Sequence, residues 1–174
     1  TPQSVPITLD HPINPQSPYA ASKSSADFLC KSYSNSFDTK TLIIRPFNTY
    51  GPRQSMRAVI PTILSQIANG DQIIKLGSID VKRDFTFVTD TARAIANGCE
   101  ANFYDGRVIQ LGTGISYSIL EIIEFCQEEF GVEIEIKTDK SRIRPANSEV
   151  KILESDPSAA AKLLGWSHAI DIKP

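Results

Sequence analysis

With 174 residues, 41% of them hydrophobic, the chain is long enough for one globular core, or one and part of another, and is neither fibrous nor low in complexity. A formal net charge of −2, with the basic residues scattered rather than striped, argues against a nucleic-acid partner. No apolar run approaches membrane-spanning length, and His11 and His168 lie too far apart for metal-ligand spacing, so neither a membrane partner nor a metal enters the reading.

The first eighteen residues carry five prolines and no periodic pattern. With neither an initiator methionine nor a signal peptide, this opening is expected to be the later part of something longer. Ser17 can cap, and Pro18 can open, a helix running to about Phe37. Within it Ala26, Leu29, Cys30, Tyr33 and Phe37 share one stripe, which Tyr19 and Lys23 extend backwards. The stripe predicts a core-facing lysine, and because an ammonium is costly to bury without a partner, the position asks for a reason.

TLIIRPF, from Thr41, has the pattern of a buried parallel strand stopped by Pro46, and NTYGPRQ reads as a turn-rich loop. Val59, Ile60, Ile63, Leu64 and Ile67 form the apolar side of a helix ended near Gly70. Short strands follow at Ile73 to Leu76 and Arg83 to Val88, then a helix from Thr89 to Phe103 with the stripe Ala92, Ile95, Ala96, Cys99 and Phe103. RVIQLG is another strand, and Ser118 with Glu121 predicts a capping box for a helix with core face Ile119, Ile122, Ile123, Cys126 and Phe130. VEIEIK alternates like a half-buried strand, and Asp156-Pro157 starts a last helix closed by Gly165. Alternating helices and strands predict an α/β fold. Cys30, Cys99 and Cys126 all fall on predicted apolar helix faces and read as reduced core residues of a cytoplasmic protein.

Four segments offer chemistry. LGTGISYS, from Leu111, follows a strand and opens a helix, but Tyr117 stands where a dinucleotide-binding turn needs its third glycine, so it reads as a strand-to-helix turn. In Tyr19-x-x-x-Lys23 an ammonium one helical turn from a phenol favours the phenolate and can hold a cofactor ribose hydroxyl; alternatively Lys23 snorkels to solvent past a core tyrosine. Both readings stand open on this stretch alone. RPFNTYGPRQ and GSIDVKRDFTFVTD place polar groups at strand ends, where open α/β sheets bind ligands. Asn48 can read amides or hydroxyls there, and Arg83 and Arg144 can each fork onto a phosphate. Taken singly, each arginine reads as a surface ion pair, Arg83 with Asp84 or Arg144 with Glu149.

SPYAASK, RPFNTYGPRQ, the block from Gly77 to Asp90, the LGTG segment, RIRP at Arg142 to Pro145 and the closing DPSAAAKLLGW occur in one order across nearly the whole chain. Together they resemble the extended short-chain dehydrogenase/reductase family, specifically its nucleotide-sugar epimerases and dehydratases. RPFNTYGPRQSMRAVIPTI is most similar to the 4,6-dehydratases of nucleotide-activated N-acetylglucosamine in legionaminic-acid biosynthesis. UDP-sugar 4-epimerases share most of the same motifs.

The resemblance implies the C-terminal half of such an enzyme. Residues 1–47 and 84–112 would be the remaining Rossmann elements, with 48–83 and 113–174 the small α/β sugar-nucleotide-binding domain. It implies Tyr19 as catalytic base with Lys23 as its partner, both touching the cofactor, and Pro46 lining the nicotinamide pocket. Asn48, Val59, Ile60, Arg83 and Arg144 would bind the sugar nucleotide. Asn147 stands where many relatives carry an acidic residue, which implies an altered ribose contact. The cofactor would be NAD, bound mainly by an upstream Rossmann half, and the intact protein would be a homodimer formed through its first helix. The implied activities are 4,6-dehydratase or 4-epimerase. Residues 1–174 alone are expected to be inactive, which leaves a non-catalytic sugar-nucleotide-binding fragment as a further alternative.

Overall fold

The Ser17 hydroxyl accepts a hydrogen bond from the Ala20 amide at 3.1 Å, and Pro18, which has no amide to satisfy, opens helix α1 (Pro18–Phe37). The computed structural model describes residues 2–143 and 149–173. After α1, strand β1 (Ile43–Pro46) is followed almost at once by β2 (Asn48–Tyr50). Helix α2 (Val59–Ala68), β3 (Ile73–Leu76), β4 (Lys82–Phe87) and α3 (Val88–Cys99) come next. Then come β5 (Val108–Leu111), β6 (Ser116–Ser118), α4 (Ile119–Phe130), β7 (Glu135–Thr138), β8 (Ile152–Leu153) and α5 (Ser158–Leu164). The alternation is that of an α/β fold, as the sequence predicts.

β1 pairs in parallel with β5, and Phe47 still donates to the Leu111 carbonyl at 2.8 Å. At Asn48 the chain changes partner, and β2 runs parallel to β4. The change comes directly after Pro46, whose missing amide weakens any further pairing on that ladder. β4 is the hub of its own sheet, flanked by β2, by antiparallel β6 and by parallel β8, while β3 pairs with β7 separately.

Among the described residues two apolar clusters form. Ile60 and Ile63 of α2, Ile74 and Leu76 of β3, Phe85 of β4 and the Ile119, Ile122 and Ile123 face of α4 make one. Ala94 of α3, Ile109 and Leu111 of β5, Ala160 and Leu164 of α5, and Trp166 make the other. The predicted capping box is present: Ser118 Oγ accepts from the Glu121 amide at 3.1 Å, and Glu121 accepts from the Ser118 amide at 2.7 Å. That amide and the Ser118 hydroxyl hold the Glu121 carboxyl below its ordinary range.

Several helix faces differ from the sequence expectation. The α1 stripe is not core-facing: Tyr19, Leu29 and Phe37 are largely exposed, as are Lys23 and Cys30, and Ser34 is the only residue of α1 that is buried. The helix meets its neighbours through its small polar side, where Ser34 and Lys31 lie against Gly106 and Asp27 reaches Arg45. Close approach of backbone to backbone favours that side over the aromatic one. On α3 the buried positions are Asp90, Thr91, Ala94 and Gly98, whereas Ala92, Ile95, Ala96 and Cys99 are exposed. Gly98 lies directly against the Ile44 and Leu42 side chains, so small residues bring this helix close to β1. Only Cys126 of the cysteines is partly buried, which raises its thiol above the ordinary value. Residues 48–50, read as loop, are a strand; their side chains half-bury in a tight partnership with β4 that no local pattern encodes.

Candidate functional site

A cleft of about 550 Å³ opens where β3 and β4 meet the N-termini of α2 and α4. Its apolar floor is Phe85, Leu76, Ile119 and Ile60. Alternation along β4 turns Arg83 and Phe85 toward the cleft and Asp84 away from it. The buried Arg83 guanidinium donates to the Val150 carbonyl at 2.7 Å and to its own strand at Lys82 O at 2.8 Å, and meets Glu149 Oε1 at 3.2 Å. Arg83 therefore takes its carboxylate from the far end of the chain, not from neighbouring Asp84, and the pair is not a surface one.

Asn48 and Thr49 of β2 supply one rim, continued by Gln54, whose amide donates to the Thr49 carbonyl at 2.8 Å, and by Arg57. Ala58, Val59 and Ile60 bring the start of α2 to the same rim. Ala58 supplies no side-chain cap, so the first amides of α2 remain available there as a partial positive charge. The Thr62 hydroxyl fixes the approach by donating to Ala58 O at 2.8 Å and Met56 O at 3.0 Å. Opposite, Gly77 and Ser78 face Arg142. A Cβ at Gly77 would lie 2.7 Å from the Arg142 carbonyl, so glycine is what lets this wall close. With Arg57, Arg83 and Arg142 on its walls, the cleft suits a ligand that joins an anionic group to apolar and hydroxyl-bearing parts.

The face of β4 away from the cleft is equally polar. Asp84, fully buried, accepts from the Thr113 amide and hydroxyl, both at 2.8 Å, and from the Gly114 amide at 3.0 Å. It also accepts from Ser155, hydroxyl at 2.6 Å and amide at 3.1 Å. The Gly-x-Gly turn thus cradles a protein carboxylate, and a Cβ at Gly112 would collide with Ser155 Oγ and Asp84 Oδ2. Asp90 works similarly on the C-terminal segment: it pairs with Arg93 at 2.6 Å and accepts from the Ala169 and Ile170 amides at 2.8 and 3.0 Å. Burial pushes its carboxyl up, but the Arg93 and backbone hydrogen bonds outweigh burial and hold it below the ordinary value of 3.8. Burial, with Asp171 and Asp90 nearby, pushes the Tyr50 phenol up to about 12.

Asn48, Val59, Ile60 and Arg83 of the predicted substrate-binding set all line the cleft. Arg144 lies outside the described residues, as does Asn147. Tyr19, Lys23 and Pro46 are exposed and do not line it. Tyr19 and Lys23 present a hydroxyl and an ammonium one helical turn apart, which fits a polyhydroxylated group such as a ribose, whereas the Gly-x-Gly turn is already filled by Asp84 and does not fit a phosphate. Sequence reasoning missed Gln54, Arg57 and Glu149 as cleft residues. The first two sit in the loop that bridges a strand exit and a helix start, a signal that was there to be used; Glu149 arrives through a contact 66 residues distant.

The sequence profile of the family described as GDP-mannose 4,6 dehydratase matches residues 1–174. The chain is 31% identical over 175 residues to a putative UDP-glucose 4-epimerase of Methanocaldococcus jannaschii, covering 99% of this chain and 55% of that protein. It is 33% identical over 179 residues to the GDP-6-deoxy-D-mannose reductase of Pseudomonas aeruginosa, covering 98% and 57%. The structure of UDP-glucuronic acid 4-epimerase from Bacillus cereus, in complex with UDP-glucuronic acid and NAD, superposes with a TM-score of 0.88 at 28% identity, covering 98% of this chain and 54% of that one. The chain therefore spans about half the length of the curated relatives it matches.

Proposed function

Because the chain belongs to the GDP-mannose 4,6-dehydratase family of NAD-dependent nucleotide-sugar dehydratases and epimerases, we propose that the complete enzyme is a 4,6-dehydratase of nucleotide-activated N-acetylglucosamine. It would take a UDP- or GDP-linked sugar to the 4-keto-6-deoxy form, as a step toward legionaminic-acid-type surface sugars. The observation that carries this reading is the cationic cleft with an apolar floor, set where β2 leaves β1. Arg83 binds the diphosphate or ribose, Asn48 holds the sugar diphosphate, and Val59 and Ile60 pack near the nucleotide. Arg144 joins them in the same role.

The described residues fit the nicotinamide-ribose end of NAD at Tyr19 and Lys23, and its pyrophosphate would be held elsewhere in the complete enzyme. When bound, NAD supplies the hydride acceptor for C4 of the sugar. Tyr19 takes the C4 hydroxyl proton onto its phenolate oxygen, and Lys23 places a positive charge beside that oxygen and holds the ribose. Pro46 lines the nicotinamide pocket at the end of β1. The exposed stripe of α1, with Phe37 at 71% exposure, is where two subunits meet.

A 4-epimerase is favoured instead by the epimerases among the similar proteins. Mass spectrometry of the sugar nucleotide, after the complete enzyme and NAD+ are incubated with UDP- and GDP-N-acetylglucosamine separately, decides between them. A product one water lighter supports the dehydratase; unchanged mass with a new C4 epimer replaces it with the epimerase.

A further inference from the structure

We propose that Arg142, oriented by Asp139, reads the nucleobase of the ligand and selects guanine over uracil, an inference that rests on the sugar-nucleotide reading of the cleft above. Asp139 directly follows β7, and its amide donates to the Leu76 carbonyl at 2.7 Å, which fixes it to the end of β3. One carboxylate oxygen accepts from the Ser141 amide at 3.0 Å and hydroxyl at 2.6 Å, closing the single turn Lys140–Arg142. The other accepts from Arg142 Nε at 3.2 Å. The Ser141 hydroxyl and amide, with Arg142, hold the Asp139 carboxyl below its ordinary value, so it stays an anion. Because Gly77 lacks a side chain, the backbone and Cβ of Arg142 lie directly against it and bring the guanidinium to the cleft wall.

Arg83 and Arg142 are engaged differently. Arg83 places Nη1 on the Lys82 and Val150 carbonyls and Nη2 on Glu149. Asp139 grips Arg142 through Nε, so the edge shared by its two Nη groups is presented away from that carboxylate, on a side chain 48% exposed. That edge carries two parallel N–H groups and matches two acceptors side by side. Guanine offers such a pair in O6 and N7. In uracil the O4 and O2 acceptors flank the N3 hydrogen, a donor that would face the guanidinium donors. The floor at this wall suits a flat ring: Leu76, next to Gly77, packs with Ile60 and Ile119 in one apolar cluster. Asn48, on the opposite rim, is left to the sugar-diphosphate end.

In calorimetric titrations of the complete enzyme, GDP is expected to bind about tenfold or more tightly than UDP, the discrimination given by one arginine fork. Arg142→Lys keeps the charge and loses the fork, and is expected to weaken GDP about tenfold while leaving UDP within about twofold. Asp139→Ala releases Nε and should lower the GDP-to-UDP affinity ratio about threefold, whereas a merely structural role would lower both affinities alike and leave the ratio unmoved. Equal affinities in the unaltered enzyme, or a preference for UDP, overturn the choice of base alone. An equal loss of GDP and UDP in Arg142→Lys also overturns it, by making Arg142 a diphosphate contact. Binding of neither nucleotide by the unaltered enzyme overturns the sugar-nucleotide reading and this inference with it.

Discussion

Arg83 and Asp84 are consecutive residues of β4 whose side chains leave on opposite faces, Arg83 toward Glu149 at 3.2 Å and Asp84 toward the Ser155 hydroxyl at 2.6 Å. One strand thus carries a buried cation on its ligand side and a buried anion on the other, each closed by residues from the C-terminal part of the chain. The register of β4 is held from both sides, so Arg83 meets the cleft in a fixed pose.

Removing the Asp84 carboxylate leaves the Ser155 amide buried, and the Thr113 and Gly114 amides half-buried, without their acceptor. Asp84→Ala is expected to destabilise the protein by about 3 kcal/mol or more, the cost of breaking a buried, multiply bonded charge site. Urea denaturation measures it; a loss below about 1 kcal/mol would mean the cradle is satisfied by other partners.

For Asp90 the expectation concerns pH. Its carboxyl lies below the ordinary 3.8 in the folded state, so the unfolded chain binds the proton more tightly. Its contribution to stability is accordingly present above about pH 4 and lost as the pH falls through the depressed folded value. Asp90→Asn should be less stable at neutral pH by about 1–3 kcal/mol and should lose less on acidification, so that the two stability curves converge. Parallel curves from neutral pH to pH 3 would contradict this.

Gly77→Ala tests the closed wall of the cleft. The added methyl meets the Arg142 carbonyl, so the segment carrying Arg142 must move outward. Affinity for a UDP- or GDP-sugar, titrated calorimetrically with the complete enzyme, is expected to weaken about tenfold, or about 1.4 kcal/mol. Unchanged affinity would show that Arg142 stands clear of the ligand.

Local chemistry made much of this legible in the sequence. Ser17 before Pro18, and Ser118 three residues before Glu121, mark helix starts through hydrogen bonds made within one turn, and both are present. Asn48 and Arg83, read from strand ends where an α/β sheet exposes unpaired groups, line the cleft, as do Val59 and Ile60, which only the resemblance implied. Helix faces were harder. The apolar stripes of α1 and α3 point outward because Ser34 and Gly98 permit closer contact than aromatic or branched residues do, a preference set by the neighbour and not by the helix. The roles of Asp84 and Glu149 depend on partners 71 and 66 residues away, beyond any local pattern.

The ties made by Ser155, Trp166 and the Ala169 and Ile170 amides also bear on how the chain is made. Thr113, Gly114 and Arg93 supply part of what Asp84 and Asp90 need, and Ser155 and the Ala169 and Ile170 amides complete it. During synthesis β4 and α3 emerge well before residues 155–170, so each carboxylate lacks the last of its donors until those residues follow. Both stay incompletely satisfied through that interval, so β4 settles late and the long-range contacts form last. Nascent chains stalled before Ser155 should therefore be open to protease at β4, and those that have passed Ile170 should be protected.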